Sequence, residues 1–149
     1  SGMQEPLNFP SGIQELVHWR EERGQLYLWD IPRAKWLVHT PEEWVRQHCA
    51  AFLVALGYSK NWMSSEAGLT AVFRKKRTDL VVYQDAKPHL LVECKAPSVK
   101  LSMATFEQAQ TYNQELGASF IWLTNGRQHI YWDVVKKCQM NALPLPTVP

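Results

Sequence analysis

Cysteine organises nothing in this chain. Cys49, Cys94 and Cys138 are an odd number with no C-x-x-C spacing, so neither a disulfide framework nor a zinc cluster is indicated. Long apolar runs are missing too, which removes signal and membrane-spanning helices from consideration and makes a cytoplasmic location the expectation. No G-x-x-x-x-G-K-[ST] loop is present, so the chain carries no P-loop motor. A net charge of only +2 does not by itself argue for a nucleic-acid partner. The five histidines, His18, His39, His48, His89 and His129, are scattered rather than spaced as a motif, and each is expected to pack or to lie at the surface. No repeat or low-complexity tract occurs. What remains is one domain of 149 residues, long enough to bury a proper core. Its expected extent is residues 3–140. Ser1-Gly2 ahead of Met3 reads as an added remnant, and Pro144, Pro146 and Pro149 mark residues 141–149 as an extended, loosely held tail.

The order of elements follows from periodicity and punctuation. Leu16 to Glu21 and Leu26 to Trp29 bracket Gly24 and predict an N-terminal hairpin with Trp19, Tyr27 and Trp29 as packing residues. Thr40, Pro41 and Glu43 form the T-x-x-E start of a helix. Val45, Cys49, Phe52, Leu53 and Leu56 continue it at helical spacing, and Gly57 stops it. Ala67 to Lys75, Arg77 to Tyr83 and His89 to Cys94 read as strands, the last two joined through Gln84 to Pro88 as a hairpin. A second helix is expected from Ser102 to Leu116, ended by Gly117. Phe120 to Thr124 and His129 to Asp133 then flank Asn125-Gly126, the strongest hairpin signal in the chain. Trp44, Trp62 and Trp122, three of the seven tryptophans, fall in or beside these elements and are expected to be buried.

Asp79 and the Glu93-Cys94-Lys95 triplet carry the chemistry. If the hairpin closes with Asp79 opposite Glu93, two carboxylates face each other, an arrangement that destabilises a sheet unless something offsets it. A hard divalent cation with oxygen ligands would do so, and Lys95 shares the face of Glu93 because strand side chains alternate. The competing explanation is a solvated face on which Lys95 neutralises an acid. Leu80, Val81, Val82, Leu90, Leu91 and Val92 weigh against it, since such runs belong to strands covered on both sides, where charges are costly unless paired or metal-bound. Cys94 reads as a small inward-facing residue. Arg74, Lys75, Lys76 and Arg77 form a basic cluster that either holds a phosphate backbone or merely solubilises a strand end.

The order αβββαβ, with Asp79, Glu93-x-Lys95 and Gln108-Ala109-Gln110-Thr111-Tyr112 on the following helix, resembles the PD-(D/E)xK nuclease superfamily. The blocks TPEEWVRQ (40–47), RTDLVVY (77–83), LLVECKAPS (90–98), QAQTYN (108–113) and LTNG (123–126) are similar to the N-terminal nuclease domain of type I restriction enzyme R subunits. Thr78 stands where the superfamily name has Pro. The fold this implies is α/β, a restriction-endonuclease-like core whose mixed central sheet is flanked by helices, here with an added N-terminal hairpin.

By the same resemblance Asp79 and Glu93 would bind catalytic magnesium, for which manganese can substitute, and Lys95 would hold the attacking water and offset charge on the scissile phosphate. Gln108 and Tyr112 would border the active site; their one-turn separation puts them on one helix face, where Tyr112 also has an ordinary packing explanation. Glu43 is the expected acidic contribution of the first helix to the metal, although its cap position explains it equally; Glu42 and Glu66 are the alternatives. The implied function is metal-dependent hydrolysis of DNA phosphodiesters. The expected partners are DNA and a motor or specificity subunit, with a homodimer as one way of cutting both strands. The alternative is a non-catalytic module that keeps the fold and binds nucleic acid or a partner protein. The lack of a motor means that the chain is not expected to be a type I restriction enzyme by itself, and the Met3 start and Pro-rich finish favour a free-standing relative of the R-subunit domain.

Overall fold

The longest apolar runs lie side by side and are covered on both faces, as strands without polar alternation require. The computed structural model describes residues 6–65 and 80–147. Its strands are β1 (Trp19–Glu22), β2 (Gln25–Asp30), β3 (Lys35–Val38), β4 (Met63–Ser64), β5 (Leu80–Gln84), β6 (Lys87–Cys94), β7 (Phe120–Thr124), β8 (His129–Asp133) and β9 (Cys138–Met140). The helices are α1 (Pro41–Leu56) and α2 (Met103–Leu116). β4 to β9 form one sheet in that spatial order, antiparallel throughout except where β6 runs parallel to β7 across the α2 crossover.

Alternation along β5 and β6 sorts the core into two layers. Leu80, Val82, Leu90, Val92 and Cys94 meet Val45, Cys49 and Leu53 of α1. Val81 and Leu91 meet Ala109, Tyr112 and Leu116 of α2. Each large apolar side chain fully removed from water contributes about 1.5–3 kcal/mol, so the two helices are held chiefly by this burial. The restriction-endonuclease-like mixed sheet between helices is thus the architecture observed. The expected strand over 67–75 lies outside the described residues, as do Asp79, Glu66 and the 74–77 basic cluster.

Both helices start and stop as their caps dictate. The Thr40 hydroxyl accepts from the Glu43 N–H at 3.1 Å, and Gly57 ends α1 with φ 110°. In α2 the Ser102 hydroxyl accepts from Thr105 N at 3.2 Å while Ser102 N donates to the Thr105 hydroxyl at 2.8 Å. Threonine there does what glutamate does in the usual capping box.

The expected N-terminal hairpin forms from β1 and β2, and β3 extends it to a three-stranded meander with Trp29 opposite Trp36. Four other expectations are corrected. Leu28 is the residue of β2 that points to the core, packing with Trp44 and Ala51, so its neighbours Tyr27 and Trp29 are on the outer face. There Trp29 meets Trp36 edge-to-face at 5.2 Å and Arg20 lies 4.7 Å over the Trp36 ring. Trp62 is 40% exposed, whereas Trp44 and Trp122 are buried as expected. The β5–β6 turn is only Asp85-Ala86, both at positive φ, and Pro88 lies inside β6 beyond a register shift at Val82/Tyr83. The tail is docked: Leu143 joins the core and the Tyr58 hydroxyl donates to the Pro144 carbonyl at 2.6 Å. Among the described residues no helix is long and apolar enough to cross a membrane.

Candidate functional site

Glu93 and Lys95 leave the sheet on the α2 side, two and four residues beyond Leu91 along the same alternation. Glu93 is 1% exposed and lies opposite Leu123 of β7. Its Oε1 is 3.2 Å from Lys95 Nζ, and the lysine side chain, 21% exposed, reaches from this buried carboxylate to solvent. Such a pair interacts more strongly than one in water because little solvent screens it. Lys95 is held at its root as well: its N–H donates to the Thr124 carbonyl at 2.8 Å. Between the two, Cys94 faces the α1 layer, where burial, then the hydrogen bond its thiol makes with Cys49, pushes its pKa up. Tyr112 is buried in the cluster that contains Leu91. Gln108 is exposed, one turn nearer the start of α2. Leu80 opposite Val92 is the last described pair at this end of β5, and Asp79 lies outside the described residues.

Glu43 is engaged elsewhere. Arg46, fully buried, donates from Nε to Glu43 Oε1 at 2.7 Å and from Nη2 to Glu43 Oε2 at 2.9 Å. The Glu43 side chain therefore spends its oxygens on this fork instead of turning back to the Thr40 N–H, and only half of the expected capping box forms. Arg46 also reaches Asp30 Oδ1 at 2.9 Å and Ser65 Oγ at 2.7 Å. Asp30 further accepts from Gln47 at 3.0 Å and from Arg33. Burial by itself would lower the Arg46 pKa, but the Glu43 hydrogen bonds and the charges of Glu43 and Asp30 outweigh it and the net direction is up. Nothing in the helical periodicity marked Arg46. The missing signal was that α1 is covered on its back by Leu28, Ile13 and Val17, which turns an expected surface position into an interior one.

A family model described as the N terminus of the type I restriction enzyme R protein matches residues 41–149. The chain belongs to this family. Comparisons with curated proteins and with solved structures give no match. The region shared with the R-protein N terminus starts at the first residue of α1 and includes Glu43, Glu93, Lys95, Gln108 and Tyr112. β1, β2 and β3 precede it and are wired to it through Asp30 and Arg46.

Within the R-protein region Asn125 braces the loops beside Lys95. Asn125 is 4% exposed; its Oδ1 accepts from Arg127 N at 2.9 Å and Gln128 N at 2.8 Å, and its Nδ2 donates to the Val99 carbonyl at 2.8 Å. It thereby clamps the β7–β8 loop to the loop that follows Lys95. Read as a turn signal, Asn125-Gly126 concealed this: only Gly126 has positive φ, and the asparagine acts through its side chain. As for a metal, the donor chemistry fits magnesium, a hard ion that proteins hold through one or two carboxylates alongside waters and substrate phosphates, and Glu93 is a buried oxygen donor of that kind. Among the described residues no three His, Cys, Asp or Glu side chains converge to hold one.

Proposed function

We propose that the chain is a metal-dependent nuclease that hydrolyses DNA phosphodiesters, the activity expected of a type I R-protein N-terminal domain. The observation that supports it most is the buried Glu93 carboxylate in contact with the Lys95 ammonium at the end of β6. In this proposal Glu93 and Asp79 would hold magnesium, with manganese able to replace it, while Glu43 stays tied to Arg46. Bound magnesium supplies Lewis-acid polarisation of a phosphoryl oxygen and a more acidic water. Lys95 would orient the attacking water and place fixed positive charge where negative charge builds on the scissile phosphate, which needs no reorganisation during the reaction. Tyr112 supports the α2 side of the site, and exposed Gln108 meets the substrate strand. DNA is the substrate, the basic run Arg74, Lys75, Lys76 and Arg77 contributes to holding it, and the remaining restriction subunits are the partners such a domain serves.

The test is cleavage of plasmid and oligonucleotide DNA with magnesium or manganese. Lys95→Ala is expected to abolish cleavage while thermal denaturation still reports a folded protein, and Lys95→Arg to retain part of the activity. Magnesium is expected to raise the melting temperature of the native chain, and Glu93→Gln to remove most of that rise. A native chain that degrades no DNA with either metal, alone or with its restriction partners, establishes instead a binding module that has kept the fold.

A further inference from the structure

Lys95 is the first residue beyond β6, so its side chain is only as well placed as the chain on either side of it. On the near side its N–H donates to the Thr124 carbonyl of β7 at 2.8 Å. On the far side residues 96–99 make a tight turn, closed by the Val99 N–H on the Ala96 carbonyl at 3.0 Å. Ala96 and Pro97 are buried, but Ser98, Val99 and Lys100 are exposed, and the outer half of the turn has little packing to hold it. That half is gripped from the neighbouring loop, where Asn125 Nδ2 donates to the Val99 carbonyl at 2.8 Å.

Asn125 is itself firmly anchored. It is 4% exposed, and its Oδ1 accepts from Arg127 N at 2.9 Å and from Gln128 N at 2.8 Å. The preceding Thr124 hydroxyl accepts from Gly126 N at 2.8 Å. Gly126, at φ 85°, lies so close to the N-terminal segment and to α1 that an added Cβ would fall 3.0 Å from Leu7 and 3.1 Å from Val45. The turn after β7 uses only the side-chain oxygen of residue 125, which aspartate, and more weakly serine, also supplies in such turns. The amide nitrogen adds nothing to that turn and serves the loop beyond Lys95. Only a carboxamide accepts two N–H groups at its oxygen while donating from its nitrogen to a carbonyl.

We propose that Asn125 is a positioning residue for phosphodiester hydrolysis. Through its hydrogen bond to Val99 it holds the chain just beyond Lys95, and so keeps the lysine ammonium, 3.2 Å from Glu93 Oε1, where the attacking water is oriented. This rests on the nuclease proposal and adds to it a residue that acts on the reaction through Lys95.

The experiment separates the two halves of the amide. Asn125→Asp and Asn125→Ser each keep an acceptor for Arg127 N and Gln128 N and lose the donor to Val99, the second without adding charge. Misplacing a catalytic group by about 1 Å costs on the order of 100-fold in rate. Both variants are therefore expected to cleave about 10- to 100-fold more slowly at saturating DNA, with KM for DNA and the magnesium-induced rise in melting temperature close to native. Amide hydrogen exchange of residues 96–101 is expected to quicken in both, which reports the lost tie without any cleavage. Faster exchange with a native cleavage rate overturns the positioning role and leaves the nuclease proposal standing. A rate loss in Asn125→Asp alone belongs to the added charge and overturns it too, as does a loss that appears wholly in KM. A native chain that cleaves no DNA with either metal, alone or with its restriction partners, removes both proposals.

Discussion

At the scale of the residue, the buried imidazoles show how position overrides type. His48 is 1% exposed, donates from Nδ1 to the Trp44 carbonyl at 2.8 Å and packs edge-on against Trp44 and at a tilt against Phe9. His129 accepts at Nδ1 from the Trp122 indole at 3.2 Å and shares that nitrogen with the Thr124 hydroxyl at 2.9 Å; its Nε2 is 2.7 Å from the Asn8 carbonyl. Each is thus built to be neutral. Burial lowers both pKa values from the ordinary 6.5, partly opposed by the backbone hydrogen bonds to Trp44 and Asn8. The unfolded chain therefore takes up these protons first as pH falls. Their contribution to stability is fully present above about 6.5 and is lost on descending through the folded values. Urea midpoints are expected to drop between pH 7.5 and pH 5, and His129→Gln is expected to flatten that dependence. The sequence read these residues as packing or surface positions, and both are packed. It did not show that they hold the N-terminal arm, since Asn8 is 121 residues distant from His129.

At the scale of the element, Arg46 is where β2, α1 and the end of β4 are joined. Its guanidinium and the Asp30 carboxylate are both fully buried, and Glu43 nearly so. Removing one member of a buried ionic group leaves the others uncompensated, at a cost of about 3–5 kcal/mol. Arg46→Met is expected to lower the unfolding free energy by that order in chemical denaturation, and Arg46→Met/Asp30→Asn/Glu43→Gln to recover a large part of it. An Arg46→Met variant as stable as the native chain would show that the network does not join these elements energetically. The helices themselves were legible in advance because Thr40, Gly57, Ser102 and Gly117 act over three or four residues. β3, β4 and β9 were not, being short strands of four, two and three residues whose stability comes from the strand beside them. Arg46 escaped detection for a related reason: its burial depends on a sheet that lies across the helix.

At the scale of the whole molecule, the two chain ends close the core. Leu7 and Phe9 pack against the α1 layer, and Leu143 enters it from the other end. Tyr58 binds the Pro144 carbonyl, the Thr147 hydroxyl donates to Gln84 at 3.3 Å, and burial pushes the Tyr58 phenol up to about 12. Deleting residues 141–149 is expected to cost about 2–4 kcal/mol, roughly one buried leucine and one hydrogen bond, read as a fall in the urea midpoint. No change on deletion would return the tail to the loosely held segment its prolines suggest.

The sequence by itself determined what is local or periodic: the caps, the two helices, the apolar strands that must be covered on both faces, and the placement of Glu93 and Lys95 on one face two residues apart. Family membership was legible for the same reason, since its blocks are short runs in a particular order. Only the tertiary structure decided which partners those side chains meet: that Glu43 is held by Arg46, that Asn125 braces the loop beyond Lys95, and that Tyr27 and Trp29 face outward. These depend on elements far apart in the chain being pressed together. A residue's exposure and its hydrogen-bond partners are properties of that packing, and no spacing along the chain contains them.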